Sequence, residues 1–293
     1  MSSMHRREFL SYTARAASGA IFSLHPLARR MLALPPIASK FKANDTVTLG
    51  KTGIQTSRMA MGTGTSGVNH RSHQTALGIQ GCAAVLLNGY DQGLRFFDTA
   101  DGYGSHPHVA EALKHVDRSK VTVMTKTDTR DPAGVKANLD RFRKELGTDY
   151  IDIVLIHCVT EKDWSTRYRG VMDVLSEAKQ KGIIRAHGVS CHSIEALRDA
   201  AKSPWVELDL ARINPIGAYM DAQPEVVVPV LREMKAAGKA VIGMKIMGQG
   251  SLRSKQDEAF KYALGLDLLD AFTIGSESIA EQNDAVRRIA AVA

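Results

Sequence analysis

Four side chains that end or follow apolar runs have the residue types needed to donate a proton. Asp98 ends LRFFD and Tyr103 follows five residues later, Lys126 ends VTVMTK, and His157 follows YIDIVLI. A lysine that ends a buried strand needs a partner, and Asp98 on the neighbouring strand can provide one. A lysine cation near a phenol lowers the phenol's pKa from about 10, and a nearby histidine can orient a carbonyl oxygen. The set describes a device that gives a proton to a developing alkoxide.

Each of these residues also has an ordinary structural interpretation. An aspartate at a strand end is commonly a turn or cap residue, and a tyrosine in a loop commonly packs. A histidine after a buried strand is more often a satisfied core residue than a catalyst. Four such residues at the ends of three successive strands favour the catalytic interpretation.

The elements that position these residues follow a regular alternation of short apolar runs and helical periodicity. A hairpin is predicted over 47–58, then strands at 59–62, 94–98, 121–126, 150–156, 183–189, 206–213, 240–246 and 270–274. Helices are predicted at 74–92, 106–116, 132–146, 167–181, 193–202, 224–238, 255–265 and 278–291.

Eight strand-then-helix units predict an α/β fold, a (β/α)8 TIM barrel with an N-terminal β-hairpin. In such a barrel, chemistry takes place at the carboxyl ends of the strands. An open doubly wound sheet would need GxGxxG at its first strand–helix turn, and GTGTSG (62–67) lacks that order. Residues 43–293 show no composition break or long linker and are predicted to form one domain.

The net charge of +7 is concentrated at the N-terminus. Residues 1–42 contain seven basic residues and one acid, which leaves 31 basic and 30 acidic residues in the rest. A basic face for nucleic acid is therefore not expected on the folded domain. The three cysteines match neither a disulfide framework nor a metal spacing, and no apolar run is long enough to predict a membrane span.

The first forty residues resemble an export signal. MHRREFLSYTARAASGAIFSLHPLARR pairs two arginines with Phe9 and Leu10 and continues as a weakly apolar stretch, as in a twin-arginine signal. Residues 1–42 are predicted to be this signal or a disordered segment. Periplasmic localisation, with the export machinery as a partner, is expected, and a basic tail on a cytoplasmic protein is the alternative.

The segment GLRFFDTADGYGSHPHVAEALK (93–114) resembles the first signature of the aldo-keto reductases. The lysine in VMTK and the histidine in LIHC fall where the family's other catalytic residues are expected. The resemblance implies a barrel that binds a nicotinamide dinucleotide without a Rossmann domain and transfers hydride to an aldehyde or ketone. By matching position, Tyr103 is the general acid and Lys126 tunes its pKa. Asp98 holds Lys126, and His157 orients the carbonyl.

The resemblance also implies cofactor contacts. VSCHS (189–193) is similar to the segment that holds the carboxamide, with Cys191 where asparagine is common. TIGSESIAEQND (273–284) resembles the adenosine-phosphate loop, with Glu277 where many members have a basic residue for the 2′-phosphate. A carboxylate repels phosphate, so the cofactor is expected to be NADP or NAD with the preference for NADP weakened or lost; compensation by Lys245 or a nearby arginine is the alternative. The expected cofactor-binding residues are Gly62, Thr63, Ser190, Cys191, Asn214, Lys245, Gly275, Ser276, Glu277, Gln282 and Asn283.

The predicted function is NAD(P)H-dependent reduction of a small carbonyl compound. A cofactor-binding redox sensor on the same fold is the alternative, and a metal-dependent hydrolase is disfavoured because strand ends offer too few ligands and no metal site is predicted. The sequence stops directly after the last helix, which predicts an open substrate site. Trp164, Trp205 and the loop 247–253 are candidates either for its walls or for core packing.

Overall fold

The computed structural model describes residues 40–292. The twin-arginine motif at Arg6 and Arg7 lies outside the described residues. Strands β1 (Thr46–Thr48) and β2 (Gln55–Ser57) pair antiparallel as the predicted hairpin. Leu49 and Ile54 in its turn are buried with the side chains that fill the barrel interior, so the hairpin closes one end of the barrel.

Eight parallel strands close into a barrel in chain order, with the last strand beside the first. They are β3 (Met59–Gly62), β4 (Phe96–Asp98), β5 (Thr122–Thr127), β6 (Ile151–Val159), β7 (Ile184–Cys191), β8 (Leu208–Arg212), β9 (Ala240–Met244) and β10 (Ala271–Gly275). The predicted (β/α)8 barrel and its hairpin are confirmed. Side chains along each strand point alternately to the barrel interior and to the helices. A shift of one position along the strand therefore moves a side chain from one layer to the other.

An outer layer of helices surrounds the barrel. The described residues form α1 (Gly78–Asp91), α2 (His106–Leu113), α3 (Pro132–Leu146), α4 (Trp164–Arg167), α5 (Arg169–Gln180), α6 (Ile194–Lys202), α7 (Pro224–Ala236), α8 (Gln256–Gly265) and α9 (Ile279–Ala291). The side chains of Asp131 and Ser278 cap α3 and α9 by accepting from backbone N–H groups. No helix among residues 40–292 is long and apolar enough to cross a bilayer.

Trp164 and Trp205 belong to the helical layer. Trp164 is fully buried and its Nε1 donates to the carbonyl of Ala196 at 3.1 Å. Trp205 donates to Ser176 Oγ at 2.9 Å and stacks on His187, with ring centroids 4.2 Å apart. Core packing is therefore the interpretation that the structure supports for both tryptophans.

Candidate active site

A buried ion pair links β4 to β5 at the carboxyl end of the barrel. Lys126 Nζ is fully buried and donates to Asp98 Oδ1 at 2.5 Å and to the carbonyl of Thr99 at 2.8 Å. Asp98 Oδ2 accepts from Thr273 Oγ1 at 2.7 Å. Burial alone would lower the pKa of Lys126, but Asp98 and Tyr103 outweigh it and the pKa is raised. Lys126 therefore keeps its charge inside the protein.

The Tyr103 ring lies above this pair. It ends the short turn Asp101–Tyr103 that follows β4, and Lys126 Nζ is 4.7 Å from its centroid. Burial raises the pKa of Tyr103, and Lys126 opposes that rise without cancelling it. Lys126 therefore acts in the predicted direction, but the net pKa lies above 10 rather than below it. The phenol holds its proton at neutral pH, as a general acid must.

Two glycines make room for the Tyr103 ring. A Cβ on Gly64 would lie 2.2 Å from Tyr103 Cε2, and one on Gly67 would lie 2.4 Å from Cδ1. Both belong to the segment GTGTSG, which lacks the order of a dinucleotide fingerprint. Their role in seating the tyrosine was not predicted, because it depends on a contact between two loops.

His157 approaches the tyrosine from β6. The two rings meet edge to face, with centroids 5.6 Å apart and an interplanar angle of 81°. His157 Nδ1 lies 2.8 Å from Asp128 Oδ1. Burial lowers the pKa of His157, while the hydrogen bond to Asp128 opposes the change. The next residue, Cys158, has φ of +52° where the β6–β7 register shifts, so a bulge sets the direction of the strand at this point.

A cavity of about 350 Å³ opens beside Asp98 and Tyr103. Its volume is within the range of small-molecule sites. It is bordered by the loops after β3, β9 and β10, including the loop 247–253 proposed as a wall. The predicted cofactor residues that line it are Gly62, Lys245, Gly275, Ser276 and Glu277.

The side chains that line this cavity include both cations and carboxylates, and Lys245 is a cation available to an anionic ligand. Lys245 Nζ contacts Gln249 Oε1 at 2.9 Å and, among residues 40–292, has no carboxylate within 4.0 Å. The cavity is also lined by residues immediately before α9, and a helix N-terminus favours anions. Lys245 and this helix end fit the pyrophosphate of a dinucleotide.

Glu277 places a carboxylate at the same end of the cavity. Its Oε1 is 2.7 Å from His73 Nδ1, which joins the β3 loop to the start of α9. Nearby, Arg253 contacts Glu281 Oε1 at 3.0 Å. This arrangement of charges is less favourable for an added phosphate than a basic residue at position 277 would be.

Four other predicted cofactor residues near the barrel are engaged within the protein. Thr63 Oγ1 donates to the carbonyl of Asp98 at 2.9 Å, and Ser190 Oγ lies 3.4 Å from the backbone nitrogen of Cys158. Cys191 is fully buried in the layer between barrel and helices, because Ser190 before it takes the inward position. Asn214 donates to the carbonyls of Ala218 and Lys245 and shapes the loop after β8. None of the four lines the cavity.

Gln282 and Asn283 connect two helices. Asn88 Nδ2 of α1 donates to Gln282 Oε1 at 2.7 Å and to Asn283 Oδ1 at 2.9 Å. Neither side chain lines the cavity. Their observed contacts hold α9 against α1 and so support the cavity wall from behind.

Comparison with known proteins gives one family and distant relatives. The model of the aldo/keto reductase family matches residues 58–290. The chain is 28% identical over 210 residues to the NADH-specific methylglyoxal reductase of Escherichia coli K12, covering 64% of this chain and 63% of that protein. It is 32% identical over 180 residues to an aldo-keto reductase of Mycobacterium sp. strain KMS, covering 58% and 59%. The matches span less than two thirds of these relatives.

Solved structures share the architecture. A protein of Pseudomonas aeruginosa classed with the aldo-keto reductases superposes with a TM-score of 0.72 at 21% identity, covering 86% of this chain and 98% of that one. The holo form of an aldo-keto reductase from Bacillus halodurans gives 0.67 at 20% identity, covering 84% and 90%. At these identities the likeness shows the fold alone.

Proposed function

The chain belongs to the aldo/keto reductase family, and from this premise we propose that it reduces an aldehyde or ketone to an alcohol with a nicotinamide dinucleotide. The observation that carries the proposal is the buried Asp98–Lys126 pair directly beneath the Tyr103 ring. A charged lysine in the protein interior is costly unless a function or a partner retains it. Here it lies where it would offset the charge of a phenolate.

In this proposal each residue of the site has one task. The cofactor supplies the hydride. Tyr103 Oη donates its proton to the oxygen of the carbonyl as negative charge develops there. Lys126 stabilises the phenolate that remains, and Asp98 keeps Lys126 charged. His157, whose ring meets that of Tyr103 edge to face, orients the carbonyl oxygen through a ring nitrogen.

The reaction can be tested with a panel of carbonyl compounds and both reduced cofactors. Methylglyoxal is a suitable first compound because one relative is named for it. We expect oxidation of NADH or NADPH that depends on the added carbonyl and yields the matching alcohol. Tight cofactor binding without turnover of any compound would instead support a redox sensor on this fold.

We propose that NADH is used at least as well as NADPH. The support is Glu277, whose carboxylate lines the cavity and pairs with His73 at 2.7 Å. Replacing Glu277 with arginine should raise the ratio of kcat/KM for NADPH to that for NADH by about tenfold, because a guanidinium pairs well with phosphate. Asp173→Arg, the same charge reversal at an exposed residue outside the cavity lining, is the matched control. A wild-type preference for NADPH of about 100-fold, roughly 2.7 kcal/mol, would contradict the proposal.

We also propose that residues 1–42 direct export through the twin-arginine route. The support is the Arg6–Arg7 pair followed by Phe9 and Leu10. Fractionation of cells that express the full chain should find it in the periplasm, and Arg6→Lys with Arg7→Lys should retain it inside. The same exchange at Arg29 and Arg30 is the control. Export that persists after the Arg6 and Arg7 changes would refute the route.

A further inference from the structure

We propose that Asp128 is a positioning residue that holds a proton on Nδ1 of His157 and thereby decides whether the other ring nitrogen accepts or donates a hydrogen bond. The consequence for catalysis rests on the proposed carbonyl reduction. The proton arrangement itself does not, because it is a property of the resting protein.

The Asp128 carboxylate lies between His157 and the turn that carries Tyr103. Its Oδ1 is 2.8 Å from His157 Nδ1. Its Oδ2 lies against Gly102 of that turn, where a Cβ would come within 2.9 Å. One carboxylate therefore contacts both the imidazole and the backbone next to the proposed acid.

The loop around Asp128 is fixed by α3. Asn138 Nδ2 donates to Thr127 Oγ1 at 3.0 Å and to Thr129 Oγ1 at 2.7 Å, on either side of Asp128. The carboxylate is half exposed, but the side chains of both neighbouring threonines are hydrogen-bonded to α3. Its contact with His157 is therefore built into the fold rather than made by a free side chain.

The hydrogen bond determines where the ring proton lies. Burial would raise the pKa of Asp128, but His157 and nearby cations outweigh it and the pKa is lowered, so the group is a carboxylate that only accepts. His157 Nδ1 must then carry the hydrogen. A neutral imidazole has one N–H, so Nε2 is left as an acceptor. Among residues 40–292, Nε2 has no hydrogen-bond partner.

Only a protonated ring offers Nε2–H to a carbonyl oxygen in this arrangement. The charged and titratable groups facing His157 from the surrounding elements are Asp98, Tyr103, Lys126, Asp128, Arg130, Cys158 and His192. Burial and Lys126 lower the pKa of His157, Asp128 and Asp98 raise it, and the net change is downward. The neutral ring therefore dominates at neutral pH. The donor form appears as pH falls below the ordinary value of about 6.5.

The natural chain should accordingly reduce carbonyls faster as pH falls through the pKa of His157. Neutral His157 presents a lone pair at Nε2 and cannot donate a hydrogen bond to the carbonyl oxygen. Asp128→Asn changes both features. Loss of the carboxylate should lower the His157 pKa further, because Asp128 raises it, and the new amide can donate to Nδ1 and so move the ring hydrogen to Nε2.

Nitrogen-15 NMR of the full chain measures the proton arrangement directly. At pH 8, His157 should show a protonated Nδ1 and a bare Nε2, and Asp128→Asn should move the hydrogen to Nε2 in part or fully. His157→Gln identifies the resonances. Asp131→Asn is the matched control, since it removes a carboxylate from the same loop while asparagine still caps α3. A bare Nδ1 in the natural chain, or an unchanged tautomer in Asp128→Asn, would overturn the proposal.

The pH profile of kcat/KM for carbonyl reduction gives the second readout. In Asp128→Asn the acid-side rise should shift to lower pH or flatten, whereas Asp131→Asn should retain the natural profile. If kcat/KM of Asp128→Asn is lower at every pH but the shape of its pH profile is unchanged, Asp128 has a purely structural role. That result would overturn the proposed effect of Asp128 on catalysis. If no variant reduces any carbonyl, the proposed function fails while the NMR result still decides the proton arrangement.

Discussion

Replacing Asp98 with asparagine should destabilise the fold strongly, although the two side chains have the same shape. Lys126 is fully buried, and the protein groups that accept from its Nζ are Asp98 Oδ1 and the carbonyl of Thr99. Asparagine leaves the ammonium without a counter-charge. Removing one partner of a buried ion pair costs about 3–5 kcal/mol. The Lys126→Met change should also be costly, because among residues 40–292 Asp98 then keeps only Thr273 as a side-chain donor.

Removing both charges should recover much of this loss, since a neutral pair of similar volume leaves no buried charge to desolvate. Urea unfolding of the natural chain, the two single variants and Asp98→Asn/Lys126→Met forms a double-mutant cycle. The exposed Arg169–Asp173 pair provides the control, and Asp173→Asn should cause no measurable loss. A cost below about 1 kcal/mol for Asp98→Asn, or costs that simply add, would refute the description of a buried charged pair.

Two further predictions concern Asp209 on strand β8 and Gly64, which makes room for the Tyr103 ring. Asp209 is fully buried, and its pKa is raised to about 7, mainly by burial and secondly by the charge of Asp221. The folded protein therefore keeps a proton on Asp209 that the unfolded chain releases near pH 4. Its contribution to stability is present below about pH 4 and is lost as pH rises to about 7. The free energy of unfolding of Asp209→Asn, measured in urea, should therefore rise by roughly 3 kcal/mol relative to that of the natural chain between pH 5 and pH 8. An equal difference between the two proteins at both pH values would contradict this. Gly64→Ala would place a Cβ 2.2 Å from the Tyr103 ring and should lower kcat/KM about 100-fold by displacing it. Gly265→Ala, where a Cβ meets nothing within 4 Å, is the control, and equal activity of the two variants would refute the seating role of Gly64.

The alternation of strands and helices was predictable because it follows from the local periodicity of apolar residues. The run VTVMTK was predicted as a strand at 121–126 and forms one at Thr122–Thr127. The helix predicted at 132–146 forms at Pro132–Leu146 and ends at Gly147, which has φ of +64°. The short helix Trp164–Arg167 was missed, because four residues carry no periodic signal and Trp164 is held by a contact with Ala196 from a later element.

The site was predictable where it follows from strand ends and unpredictable where it depends on distant contacts. Asp98 and Lys126 were paired correctly, because adjacent parallel strands bring their carboxyl ends together. The Asp128–His157 contact joins residues 29 positions apart, and nothing in the sequence around Asp128 indicates it. Gln282 stays a predicted cofactor contact, and its contact with Asn88, on a helix 194 positions away, was not predictable from the sequence. Such partners are set by tertiary packing rather than by local pattern.

The most direct test of the proposed chemistry is hydride transfer in Tyr103→Phe. The variant keeps the ring above Lys126 and removes only the hydroxyl that holds the proton. Rapid mixing of enzyme and bound NADH with methylglyoxal, or with the best carbonyl found in the panel, should show a transfer rate at least about 100-fold below that of the natural chain. Cofactor affinity should be unchanged. An unchanged rate of hydride transfer would show that Tyr103 is not the acid and would contradict the account.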